Sequence, residues 1–152
     1  MSTTTLQPFH GSYLMPTLEH ARVSDVMHPG ILSCDPNAPL TEVARLMSTH
    51  HVHCIAVMGV TGNSGEKLVW NVISDLDLLR AGLNTDGGEP TAAQIASTPI
   101  VTVTTGTRLR EAGELMLDRG VSHLIVIDPE GERPIGVLST LDIAGTFAWG
   151  EL

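Results

Sequence analysis

Aromatic side chains are nearly missing from this chain: two Trp, two Phe and one Tyr make up 3% of its 152 residues. Its core must therefore be aliphatic, and a planar ligand would be held between aliphatic faces, because few rings are available to stack on it. Basic charge is scarce as well, with 8 Lys+Arg against 17 Asp+Glu and a formal net charge of −9. That balance argues against a nucleic-acid surface, which draws its energy from clustered Lys and Arg, and against binding to anionic membranes. A small phosphate-bearing ligand remains compatible where helix N-termini and a few His or Arg side chains overcome the global field. Two cysteines, Cys34 and Cys54, are too few for a disulfide scaffold. No apolar run approaches the roughly 20 residues of a membrane span. The opening Met1-Ser-Thr-Thr-Thr5 lacks the basic and apolar regions of a signal peptide, so a cytoplasmic location is expected. There is no Gly-x-Ser-x-Gly elbow, phosphate-binding P-loop or Gly-x-Gly-x-x-Gly turn, which leaves little support for catalysis.

What is present is an internal repeat. Leu40, Glu42, Leu46, Met47, Val52 and Val57 recur 69 positions later as Leu109, Glu111, Leu115, Met116, Val121 and Val126. Further on, Val72, Ser74 and Asp77 recur 65 positions later as Val137, Ser139 and Asp142. The first copy thus carries four extra residues, in the Gly- and Asn-containing stretch 59–67, which reads as a hairpin loop.

Each copy reads as β-α-β-β-α. The strands are Ile31–Cys34, Cys54–Met58 and Leu68–Ile73 in the first copy, and Ile100–Val103, Leu124–Ile127 and Ile135–Leu138 in the second. Leu40, Val43, Ala44 and Met47, and then Leu109, Ala112, Gly113 and Met116, show the spacing of an amphipathic helix. Pro39 suits a first helical position. A last helix opens at Ser74 or Ser139, and Gly82 closes the first of these. The expected organisation is a flexible arm (1–20), a first repeat (21–83), a polar linker (84–91) and a second repeat (92–152). The fold class is α+β, with the two repeats packed pseudo-symmetrically.

The Ser-x-x-Asp pairs at 74–77 and 139–142 support two readings. One is a capping box, in which Ser accepts from the amide three residues on and Asp reaches back. The other uses the same geometry for a ligand: a helix N-terminus and Ser hydroxyl for phosphate, and an Asp for both hydroxyls of a ribose. The cluster His50-His51-Val-His53-Cys54 has metal-ligand chemistry. No Cys-x-x-Cys or second His pair completes a closed tetrahedral site, so it reads as a polar strand entry. Arg108, Arg110 and Arg119 read as a solvated face with Glu111, Glu114 and Asp118.

The openings Val23-Ser-Asp-Val-Met27 and Ala93-Gln-Ile95 occur in this order with three further motifs. These are the Pro39-Leu-Thr-Glu-Val-Ala-Arg-Leu-Met47 helix, Gly120-Val-Ser-His-Leu-Ile-Val-Ile-Asp128 and the closing Gly136-Val-Leu-Ser-Thr-Leu-Asp142. The chain resembles a tandem pair of cystathionine-β-synthase (CBS) domains, a Bateman module, over about four-fifths of its length. The resemblance implies that two repeats form one module and that modules pair into a homodimer. It implies that Ser139 and Asp142, and with less weight Ser74 and Asp77, contact phosphate and ribose. It also implies that backbone at Ser33, Cys34 and Asp35 and at Thr102, Val103 and Thr104 lines an adenine pocket. His123 with Ser122, and His53 in the first copy, would face phosphate. Asn71 stands where the second copy has Gly136, and its side chain is expected to narrow the first site.

The expected function is a regulatory module, not an enzyme, that signals in trans to an effector protein. Its ligand would be AMP, ADP or ATP, less favourably NAD or S-adenosylmethionine, with no cofactor required and no metal. The alternative is a ligand-free structural or interaction dimer with vestigial clefts. Asp142→Ala is expected to abolish ligand stabilisation and leave the melting temperature of the free protein nearly unchanged.

Overall fold

A computed structural model describes residues 16–61, 66–96, 98–131 and 133–150. The first repeat contains α1 (Val23–Val26), β1 (His28–Pro29), β2 (Ser33–Cys34), α2 (Leu40–His50), β3 (Cys54–Thr61), β4 (Glu66–Ser74) and α3 (Asp75–Gly82). The second contains α4 (Ala92–Ile95), β5 (Thr98–Pro99), β6 (Thr102–Thr104), α5 (Leu109–Arg119), β7 (His123–Ile127), β8 (Pro134–Ser139) and α6 (Thr140–Trp149).

The repeats exchange their first elements. One sheet runs β2-β3-β4-β5 and the other β1-β8-β7-β6, so each takes an edge strand from the opposite repeat. Val23 of α1 is buried in a core with Val103, Leu109, Met116, Leu124 and Leu138, while Ala92 and Ile95 of α4 join Val43, Met47, Ile55 and Ile73. Backbone pairing fixes the exchange: Leu109 N–H donates to Ala21 and Val23 N–H to Thr107, and Leu40 and Ala92 are matched likewise with Pro90 and Ala38. Cys54, Val72 and Ile125 form a third cluster that joins the sheets. Burying each such Leu or Ile is worth about 1.5–3 kcal/mol, so neither half has a complete core without the other's opening helix.

The internal alignment reappears as geometry. Both hairpins carry a register irregularity at matching places, between Val57 and Met58 and between Val126 and Ile127. The periodic faces of α2 and α5 are the buried ones, with Val43 and Met47 in one and Leu109, Ala112 and Met116 in the other. Several boundaries shift. Pro39 is the N-cap, with extended backbone, and Leu40 is the first helical residue. Gly82 is the last helical residue, and Leu83 caps the helix. β3 and β4 extend to pair Thr61 with Glu66, so only part of the expected 59–67 loop remains, and residues 62–65 lie outside the described ones. The first-copy edge strand is shorter than Ile31–Cys34, because only Ser33 and Cys34 pair with β3. The linker is docked: Glu89 accepts from the Thr41 amide at 2.8 Å and also from its hydroxyl, which holds its carboxyl below the usual range. Most of the expected arm, residues 1–15, lies outside the described residues. Leu18 packs on the second core and Glu19 pairs with Arg110.

Candidate functional site

Both Ser-x-x-Asp motifs are realised as capping boxes. Ser139 Oγ accepts from the Asp142 amide at 3.2 Å, and Asp142 Oδ2 accepts from the Ser139 amide at 2.8 Å. Ser74 and Asp77 repeat this at 3.1 and 3.0 Å. The two helix starts otherwise differ. At α3 the first three amides are all engaged, Asp75 by the His53 carbonyl, Leu76 by the Asp75 carboxylate and Asp77 by Ser74. At α6, Thr140 donates to the Ser122 carbonyl and Asp142 to Ser139. The dipole end of α3 is therefore the more occupied of the two.

Asp142 has a second partner. His28 Nε2, delivered by β1, lies 2.7 Å from Asp142 Oδ1. Gly136 makes this possible. His28 pairs with Val137 and Pro29 with Gly136, and a Cβ on Gly136 would stand 2.6 Å from the His28 carbonyl oxygen. Glycine is thus required by the close approach of β1. Asn71, its counterpart, pairs with Pro99 of β5.

Beside this contact is a cleft of about 690 Å³ lined by both repeats. The first repeat contributes His28 to Leu32 and His50 to Cys54, and the second contributes His123, Val137, Ser139 and Leu141. Its apolar walls are aliphatic, as the scarcity of aromatics requires. Among the described residues that line it, five are histidines and none is Lys or Arg. His53 Nδ1 is 2.9 Å from Asp75 Oδ2, His50 Nδ1 is 3.0 Å from the Leu46 carbonyl, and His123 Nδ1 is 2.9 Å from Ser122 Oγ. Burial lowers the His123 pKa from the ordinary imidazole value, Asp75 and Asp142 oppose this, and His53 adds to the lowering. Burial, and then Asp75, push the Cys54 thiol up to about 12. A second hollow, of about 610 Å³, lies at the start of α3 and includes Ser74, Asp77, Arg80 and Ser122.

Of the residues singled out from the sequence, the first cleft gathers Ser139, His123 and His53, with Asp142 behind His28. The second hollow gathers Ser74, Asp77 and Ser122. Ser33, Cys34 and Asp35 and Thr102, Val103 and Thr104 line neither. Cys34 and Val103 are core residues, and Thr104 is hydrogen-bonded to Thr107. In the first cleft their place is taken by Ile31 and Leu32, immediately before Ser33. The contribution of His28 to Gly30 was missed because a two-residue strand leaves no periodic signal. The expected hydrophilic face of α5 contains the Arg110–Glu19 pair, formed with the residues preceding α1. Among the described residues, no group of three or more His, Cys, Asp or Glu could hold a metal ion. None of their helices is long and apolar enough to cross a membrane.

Two sheets with exchanged edge strands, two capped closing helices and an inter-repeat cleft define a paired-repeat module. The CBS domain model matches residues 23–84 and 92–148, and the chain belongs to this family. It is 27% identical over 125 residues to the uncharacterized protein MK0525 of Methanopyrus kandleri, covering 80% of this chain and only 60% of that protein. Its fold is similar to the CBS domain pair of protein MJ0100, solved with 5′-methylthioadenosine and S-adenosyl-L-methionine. That match has a TM-score of 0.71 at 17% identity, over 84% of this chain and 96% of that one. It is also similar to the CBS domain of the bacterial CNNM/CorC family Mg2+ transporter in complex with ATP, at a TM-score of 0.71 and 21% identity, over 88% and 92%.

Proposed function

We propose that this protein is a ligand-sensing regulatory module. It binds an adenine nucleotide (AMP, ADP or ATP), or less favourably NAD or S-adenosylmethionine, in the inter-repeat cleft and signals in trans to an effector protein. The observation that carries this reading is the cleft itself, an aliphatic slot lined by Ser139 at the start of α6, with Asp142 of the same helix behind His28. The aliphatic walls suit adenine, the Asp142 carboxylate suits a ribose diol once His28 moves aside, and the α6 end suits phosphate. Adenosyl ligands and ATP in modules of the same fold support it. Ligand binding acts by population shift, through its differential affinity for two packings of the repeats.

Binding without catalysis is the reading that the side chains favour. The Ser139 hydroxyl is committed to the cap, and a Cys54 thiol with a pKa of about 12 supplies no thiolate near neutrality. The proposed setting is cytoplasmic, and the proposed state is a homodimer. Exposed Leu76, Leu79 and Leu83 along α3 and its cap, with Leu117 of α5 and Phe147 and Trp149 of α6, offer the apolar surface for pairing. That surface also favours a second reading, an assembly protein whose clefts stay empty.

Thermal denaturation with AMP, ADP, ATP, NAD, S-adenosylmethionine and 5′-methylthioadenosine separates the two. A ligand at 100 times its dissociation constant stabilises the module by about 2.7 kcal/mol. If no member of the panel raises the melting temperature or gives heat in calorimetry, the sensing reading is wrong and the second one stands.

A further inference from the structure

We infer that the cleft is a proton-coupled anion site, in which a phosphate-bearing ligand binds together with protons taken up by the cleft histidines. This rests on the proposed ligand cleft and deepens it, since it names the charge class of the ligand and a second input, hydrogen ion. The chain has seven histidines, and five of them (His28, His50, His51, His53 and His123) line this one cleft, whose described lining residues include no Lys or Arg. Among the described lining residues, the side chains that can become cationic near neutral pH are therefore imidazoles.

Hydrogen bonding in the free protein makes a second proton the condition for any of three rings, as they stand, to meet a phosphate. The Leu46 carbonyl can only accept, so His50 donates from Nδ1. The Asp75 carboxylate accepts from His53 Nδ1, and Asp142 accepts from His28 Nε2. A neutral imidazole has one N–H, and in these rings it is already committed. The remaining ring nitrogen is a bare acceptor, as is every oxygen of a phosphate dianion. The two can meet only if the ring gains a second proton, which also supplies the positive charge that this acidic protein otherwise withholds.

His51 adds an independent sign. It adopts a left-handed backbone, φ 53°, at the C-cap of α2, where the second repeat has Gly120 at φ 64°. Glycine takes this conformation without strain, whereas a side chain does not. The histidine at this position, held at a conformational cost, adds one more imidazole to the cleft lining.

The groups facing the cleft histidines act in both directions. Asp75 at the start of α3 and Asp142 at the start of α6 favour protonation, while burial and His53 oppose it at His123. Protonation also tightens the His28 hold on Asp142, but His28 is three-quarters exposed and such a pair is screened and weak. Cys54 stays neutral throughout this range. The sign of the linkage follows. A phosphate that meets protonated imidazoles binds with proton uptake, so its affinity is greatest at low pH and falls as pH rises.

Calorimetry of the full chain with AMP, ADP, ATP and 5′-methylthioadenosine tests this, in two buffers of different ionisation enthalpy. For the phosphorylated probes we expect uptake of about one proton and a roughly fivefold or greater tightening from about pH 8 to about pH 6.5, a range above the phosphate's own second pKa near 6. Methylthioadenosine should show neither effect. His51→Gly, which relieves the left-handed strain and so folds, and His53→Gln should each lower the proton count. Tight, pH-independent binding of a phosphorylated probe with no proton uptake overturns the inference and leaves the cleft reading intact. Binding of methylthioadenosine alone does the same. Failure of all four probes at every pH overturns the inference, and the cleft reading falls with it if NAD and S-adenosylmethionine fail as well.

Discussion

His28 Nε2 lies 2.7 Å from Asp142 Oδ1, tying the start of the first repeat to the last helix of the second. The carboxylate that the ligand reading assigns to a ribose is thus already occupied twice, by this imidazole and by the Ser139 amide. Asp142 is a structural residue of the free protein as well as a candidate ligand contact. The expectation that Asp142→Ala leaves the free protein's melting temperature nearly unchanged is therefore replaced. Alanine removes a cap acceptor and leaves His28 unpaired, at a cost of about 1–2 kcal/mol. Asparagine keeps an acceptor for the Ser139 amide and should cost less than half as much. Urea unfolding of the two variants checks this order, and equal losses would show that the charge, not the cap, matters most.

Gly136→Ala tests how β1 is held. Its Cβ would press on the His28 carbonyl oxygen from 2.6 Å and on the Met27 sulfur from 3.3 Å. β1 must then withdraw, taking His28 from Asp142, with an expected destabilisation of about 1–3 kcal/mol. Asn71→Gly, at the matching position, should change stability by under about 1 kcal/mol, the usual cost of glycine in a strand or helix interior. Denaturant midpoints of the pair decide it. A Gly136→Ala variant as stable as the parent would mean that β1 adapts freely.

The two thiols should be slow to react in the folded protein. Burial first, and then Glu42 and Asp35, push Cys34 up to about 11, and Cys54 reaches about 12. Both folded-state values lie above the ordinary 9.0, so the folded state favours the neutral thiol. Their contribution is complete below pH 9 and is lost as pH rises from there toward the folded values, at about 1.4 kcal/mol per pH unit for each thiol. Cys34→Ala should flatten the alkaline fall in stability, and iodoacetamide at about pH 8, below both folded-state values, should modify native protein far more slowly than unfolded protein.

The exposed leucines and aromatics of α3 and α6 predict association. Phe147 is 62% exposed and Leu79 58%. Phe147→Glu and Leu79→Glu should shift the protein to monomer in sedimentation equilibrium and remove the concentration dependence of its melting temperature, while costing the monomer itself no more than about 0.5 kcal/mol, as surface changes do. A wild-type chain that is monomeric at every concentration would rule out the homodimer.

Much of the fold was legible in the sequence because its signals are local. The i, i+3, i+4, i+7 faces of α2 and α5, the alternating strands and the Ser-x-x-Asp helix starts each depend on residues within a few positions. The matching of Leu40 with Leu109, and of Ser74 with Ser139, reports the repeat without any knowledge of packing. The candidate site was only half legible. Ser139, His123 and His53 line the cleft, whereas residues 33–35 and 102–104 are not among its lining residues and Cys34 and Val103 place their side chains in the cores.

The sequence by itself determined that two similar α+β units follow one another, that each closes on a capped helix, and that the core is aliphatic. Periodicity and capping are short-range physics, readable one turn or one strand at a time. Only the tertiary structure decided that each unit borrows its opening helix and edge strand from the other. It also decided that His28 and His123 join the His50–His53 cluster in one cleft, and that His28 rather than solvent meets Asp142. Those outcomes depend on long-range backbone pairing and on the burial of Val23, Ala92 and Ile95 in the opposite cores, which no local pattern encodes.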